Sequence, residues 1–273
     1  MEVPGFQVTP TASSLAKDMI DNLLKQYMSR FVGYGNLDGD YWMIGMEEGG
    51  GDTAEEIERR VAIWQESSQK QLEDLKHYHD KIGVTRWFGS RAKLQPTWNK
   101  LIRIIYSTKG FSPQAEDIRE YQRTRLGRIN GETCLAELMP LPSPSSNHWL
   151  YPEISALPEL RSRNSYLRHW GPVRLQMLSN LITKYQPKHV VFYGMGYYQD
   201  WWSQLMPANH KAISIDGVKA YLGEKDGATF VVSPHPVTIG VKNTFFNGLG
   251  RAMREVELWM NPLLASTSRQ SSQ

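Results

Sequence analysis

Four short apolar runs constrain this chain more than any other feature. They are "YWMIGM" (41–46), "ETCLAELMP" (132–140), "KHVVFYGMG" (188–196) and "ATFVVSPHP" (228–236). Rich in β-branched and aromatic residues and bounded by glycine, proline or acids, they read as strands. Helix-patterned stretches separate them. Residues 12–31 set Leu15, Met19, Leu23 and Leu24 on one face. Residues 53–82 form a polar helix capped by Thr53, and Pro96 opens an amphipathic one through Trp98, Leu101, Ile102 and Ile105. Residues 163–185 make a long helix that stops before Pro187, and Asn243 or Thr244 caps a last one to about residue 260. Strands alternating with helices predict an α/β domain around a mostly parallel sheet. Residues 1–264 are expected to be one domain and 265–273 a polar, disordered tail.

Parallel sheets put ligand sites beyond the carboxyl ends of their strands, and the conspicuous residues fall there. Glu47 and Glu48 follow the first run, with Gly49, Gly50 and Gly51 directly behind them. Glu137 sits near the end of the second, Gly194 to Tyr198 follow the third, and His235 follows the fourth. These strand ends predict one shared site. His77 and His79 stand two apart in a helical stretch, point to different faces and are read as surface residues. The region 106–131 reads as either a solvent face or a lid.

Composition excludes several classes. No apolar run approaches the roughly 18 residues of a membrane span, and "MEVPGFQVTP" lacks the basic-then-apolar pattern of a secretory leader. Cys134 is the only cysteine, so no internal disulfide or cysteine-held cluster is available. A cytoplasmic monomer without metal or cofactor is expected. The net charge of +3 neither establishes nor opposes a nucleic-acid partner. Nine Trp and thirteen Tyr serve either the core or base stacking.

Taken in order, the motifs resemble the uracil-DNA glycosylase superfamily. "GMEEG" (45–49) is similar to its first motif, G-x-(D/N/E/A)-P-(Y/G), and "HPV" within "SPHPVTIG" to its late H-P-S motif. Between them, "TRWFGSRA" (85–92) resembles the segment whose Phe stacks on a flipped base, "LAELMP" the base-reading strand, and "YGMGYY" the phosphate-gripping glycine loop. The resemblance implies a three-layer α/β/α sandwich with a central four-stranded, mostly parallel sheet. It also implies double-stranded DNA as partner, with the target base flipped out.

The residue chemistry fits base excision. Breaking a sugar–base bond leaves positive charge on the sugar and negative charge on the base. Glu47, at the motif's catalytic position, would stabilise the cation and activate water, with Glu48 as second acid or as a loop acid; His235 would stabilise the departing base. The resemblance implies base contacts from Phe88 (or its neighbour Trp87), Glu137, Gly49 and Tyr193. It implies DNA contacts from Ser90, Arg91, Arg163, Gly196, Tyr197, Lys242 and Asn243.

Three departures point to the substrate. Gly49 stands where the best-known uracil enzymes carry a Tyr that blocks the C5 side of the base, so that side is open. Glu48 replaces the usual proline. Glu137 replaces the base-reading Asn, and an ionised Glu only accepts hydrogen bonds, which suits the N4 amino group of cytosine. A C5-modified cytosine, such as glucosylated hydroxymethylcytosine, is therefore the expected target, as in glycosylases of anti-phage defence. Repair of uracil or a deaminated base, and a catalytically silent DNA-binding module, are the rival readings.

Overall fold

The computed structural model describes residues 12–260; the terminal segment 265–273 lies outside them. The chain is an α/β protein built on one mixed sheet. The elements are α1 (Ala12–Arg30), β1 (Gly33–Gly35), β2 (Tyr41–Glu47), α2 (Ala54–Glu66), β3 (Leu72–Glu73), α3 (Leu75–Lys81), α4 (Pro96–Thr108), α5 (Ala115–Thr124), β4 (Thr133–Met139), α6 (Tyr151–Ile154), α7 (Arg163–Tyr185), β5 (His189–Tyr193), β6 (Lys211–Ile215), β7 (Val218–Lys225), β8 (Ala228–Ser233) and α8 (Asn243–Met260).

The expected four-stranded sheet is corrected to eight strands in the order β3-β1-β4-β2-β5-β8-β7-β6. The four strands foreseen lie side by side at its centre, and β4, β2, β5 and β8 are mutually parallel. Outside them β1 runs antiparallel to β4, while β7 and β6 continue from β8 as antiparallel strands. Residues 41–46 of β2 are wholly buried, as a strand covered on both faces requires. Successive side chains point to opposite sides: Trp42 meets Tyr185 of α7, and Tyr41 lies beneath Lys109 just after α4.

Two other expectations change. The helix foreseen over 53–82 breaks after α2, where Ser68 and Gln69 take left-handed φ of 65° and 51°. Short β3 follows, and Asp74 caps a separate α3. The region 106–131 is no lid: it contains α5, whose Gln122 donates to the carbonyls of Trp87 (2.8 Å) and Lys93 (3.0 Å) and so braces the segment before α4. Among the described residues no helix is long and apolar enough to cross a membrane.

Strand order sets the location of the site. From β2 the chain crosses to β4 on one side, then to β5 on the other, so the switch point lies between β2 and β5. A crevice opens where the two crossovers diverge at the carboxyl ends.

Candidate functional site

A cavity of about 640 Å³ occupies that crevice, within the size range of ligand pockets. Glu47 and Glu48 reach it from the end of β2, Glu137 from β4, Tyr193 from β5 and His235 from the turn after β8. The facing wall comes from the α3–α4 segment and includes His79, Trp87, Thr97 and Trp98.

Glu47 is held by a two-point ion pair. Arg163, in the first turn of α7, donates Nε and Nη2 to its carboxylate at 2.9–3.1 Å. Both side chains are largely buried. Burial raises the pKa of Glu47, and Arg163 opposes that rise without cancelling it. The Arg163 guanidinium, foreseen on DNA, is engaged by the Glu47 carboxylate. In Arg163→Gln the opposing charge is gone and burial acts alone. The pKa of Glu47 rises further, and an activity that needs the carboxylate loses its acidic limb at higher pH. A pH–rate profile of the two proteins is expected to show that upward move, and an unmoved limb would contradict it.

Glu48 faces inward to a different set of partners. Its Oε1 accepts from Tyr34 Oη at 2.8 Å and Arg60 Nη1 at 2.9 Å, and Arg60 also binds Glu56. Its backbone carbonyl accepts from the Ser143 amide. This network anchors the loop, while the other carboxylate oxygen, Oε2, is buried without a partner among the described residues. The glycines divide similarly. A side chain at Gly49 would meet open space. Gly50 and Gly51 have φ of +113° and +75°, and a Cβ on Gly50 would collide with Arg60. Only Gly49 opens the cavity; the other two make the turn.

Glu137 and Tyr193 form the floor. Tyr193 Oη donates to Glu137 Oε1 at 3.1 Å, while Glu137 Oε2 is buried without a partner among the described residues. Both groups press on Gly45, where a Cβ would collide with each. Burial, then the charges of Glu48 and Glu47, push the Glu137 carboxyl well above the ordinary range. This pressure favours the protonated form of Glu137, which both donates and accepts, over the ionised, accept-only form expected from the sequence. Behind it, fully buried Arg174 of α7 binds the carbonyls of Glu137 and Leu138 at 2.9 Å and that of Met28 at 3.3 Å.

His235 is exposed at the rim, its ring 5.6 Å from that of Tyr193 and inclined at 65° to it. Its Nδ1 accepts a long bond from the Val237 amide at 3.4 Å, which leaves the hydrogen on Nε2. Partial desolvation lowers its pKa and so favours the neutral ring. Beyond it, Ile239 is 99% exposed at the tip of the loop.

Two aromatic expectations reverse. Phe88 is only 6% exposed and packs edge-on against His79, so it belongs to the core, while Trp87 beside it lines the cavity. His79, read as a surface residue, is itself buried on the cavity wall. With Leu75, Tyr78 and Ile82 it forms the buried face of α3 at i, i+3, i+4 and i+7 spacing, a pattern the sequence already carries. The remaining DNA candidates stay outside the cavity. Ser90, Arg91, Gly196 and Lys242 are exposed, Tyr197 is half-buried, and the Asn243 side chain accepts from Lys100. Sequence reasoning passed over Arg60, Tyr34 and Arg174, which carry no motif signal. Among the described residues no group of His, Cys, Asp and Glu is arranged to hold a metal ion.

Comparison with protein-family models and with curated proteins finds no match to the chain.

Proposed function

We propose that the protein is a monofunctional DNA glycosylase that receives a flipped base in this cavity and hydrolyses its bond to deoxyribose. One observation carries the reading. Glu47, Glu137, Tyr193, Trp87 and His235, drawn from five distant parts of the chain, line a single cavity at the switch point of the parallel strands. In the reaction the C1′–N bond breaks and its electron pair leaves with the base. Glu47, largely buried, stabilises the cationic sugar and takes a proton from the water that adds to C1′. His235 donates from Nε2 to a base carbonyl oxygen as negative charge develops there. Trp87 offers a stacking face, and Glu137 meets the base edge. Among the described residues no lysine lines the cavity, so no lysine amine competes with water.

The preferred substrate is a C5-modified cytosine, as a defence enzyme against phage with modified DNA would need. Open space at Gly49 and the size of the cavity support it. Protonated Glu137 can donate to cytosine N3 and accept from N4. The same neutral acid can donate to O4 and accept from N3 of uracil, and this favours the repair enzyme as the second reading.

Matched duplexes carrying cytosine, uracil, hydroxymethylcytosine or glucosylated hydroxymethylcytosine, followed by alkali, separate these readings. Strand breaks confined to modified cytosine support the defence enzyme; breaks at uracil make it a repair enzyme. Binding with no breaks in any DNA leaves the silent module. The exposed Ile239 fits a wedge between base pairs, which offsets the few kcal/mol of unstacking. Ile239→Ala is expected to slow cleavage of duplex about tenfold and of single-stranded substrate little. Equal slowing on both would remove the wedge role.

A further inference from the structure

We propose that α4, together with the loop that follows His235, forms a phosphate-binding strip centred on Lys100 and Arg103 that holds the DNA backbone beside the cavity. The proposal rests on reading the cavity as a base pocket and names where the duplex lies.

The charge pattern carries the argument. Residues 81–115 hold seven Lys and Arg and no Asp or Glu. Two of the seven are occupied: Lys81 bonds Ser67, and Lys109 pairs with Glu132. The other five, Arg86, Arg91, Lys93, Lys100 and Arg103, have no carboxylate in ion-pair contact among the described residues. Arg86 is exposed at the cavity, its guanidinium 4.7 Å from the centre of the Trp87 ring.

Lys100 and Arg103 stand three apart on one face of α4, and both are half-buried. Each donates to a neutral amide, Lys100 to the Asn243 side chain and Arg103 to that of Asn99. Burial, then the charge of Arg103, lower the Lys100 pKa, and burial lowers that of Arg103. Like charges side by side, with reduced access to water and no counter-charge, are destabilising in the free protein. A bound anion reverses that sign.

The surroundings select the anion. Thr97, Trp98 and Leu101 of the same helix line the cavity. Asn243, which meets Lys100, opens α8 directly after the exposed Lys242, and the loop before it carries His235 and Ile239. The pair thus lies where the cavity wall meets that loop. A backbone that delivers a base into the cavity crosses this border with a phosphate at every nucleotide. Cations placed from 86 to 103 fit such a repeating charge better than one small anion.

The double variant Lys100→Gln with Arg103→Gln keeps hydrogen-bonding side chains and removes two charges. Binding is measured on a duplex carrying a tetrahydrofuran abasic analogue, which cannot be cleaved. The slope of log Kd against log salt is expected to shrink by about two, so that passing from about 50 to 200 mM salt weakens the wild type about tenfold more than the variant. Lys184→Gln removes a charge from the last turn of α7, at the opposite end of the sheet, and should leave the slope unchanged. Equal slopes for wild type and double variant, or the same loss in Lys184→Gln, overturn the strip and leave the reading of the cavity intact. Base release from no duplex fails the glycosylase reading, while the slopes still decide the strip. A wild type that binds no DNA at low salt overturns the strip as well.

Discussion

Glu47→Gln is expected to slow base release by about 10²–10⁴-fold while DNA binding persists. Glutamine keeps the shape and one oxygen for Arg163, but it has no charge for the sugar cation and cannot take a proton from water. It also leaves the Arg163 guanidinium, itself largely buried, without its counter-charge. A phosphate could then compete for that guanidinium, so affinity for DNA should hold or rise. Single-turnover kinetics with an electrophoretic binding assay separate the effects. Loss of binding in step with activity would make Glu47 a structural acid.

Arg174→Met is expected to destabilise the protein by about 3 kcal/mol. The guanidinium serves three backbone carbonyls and no carboxylate. Leaving three buried acceptors unpaired costs about 1–3 kcal/mol each, roughly 6 in all. Removing a buried cation returns part of this: burial pulls the Arg174 pKa down to about 10, equivalent to about 3 kcal/mol. The carbonyls win. Urea unfolding should show the midpoint fall with an unchanged slope. Because the loosened backbone carries Glu137, the variant should also lose activity before it unfolds. A midpoint equal to wild type would mean that water or a shifted helix satisfies those carbonyls.

The centre of the fold was legible because β2, β4, β5 and β8 are buried on both faces and so read as continuous apolar runs. The edge strands carry weaker signals. "GYG" at 33–35 looks like a break, yet it pairs with β4 because Gly33 and Gly35 allow the close approach of that strand's backbone. The hairpins of β6, β7 and β8 were passed over, although the sequence carries their turn signal. Asp216-Gly217 and Asp226-Gly227 both take positive φ, the turn that Asp-Gly pairs favour between strands. In the site, strand ends located Glu47, Glu137 and His235, and the resemblance added Tyr193. Their charge states were not legible. The upward push on the Glu137 pKa comes from burial and then from the charges of Glu48 and Glu47, about ninety residues away in the chain, and the attachment of Arg163 to Glu47 depends on how α7 docks. The burial of His79 was legible but passed over, since it shares the apolar face of α3 with Leu75, Tyr78 and Ile82 at helical spacing.

The most direct test of the central claim is mass-spectrometric detection of the free base released from duplex DNA in a single turnover, comparing wild type with Glu47→Gln. Intact modified cytosine released by the wild type, together with one abasic site per base and none from the variant, is the predicted result. DNA bound by both proteins with no base released from modified-cytosine or uracil duplexes would contradict it.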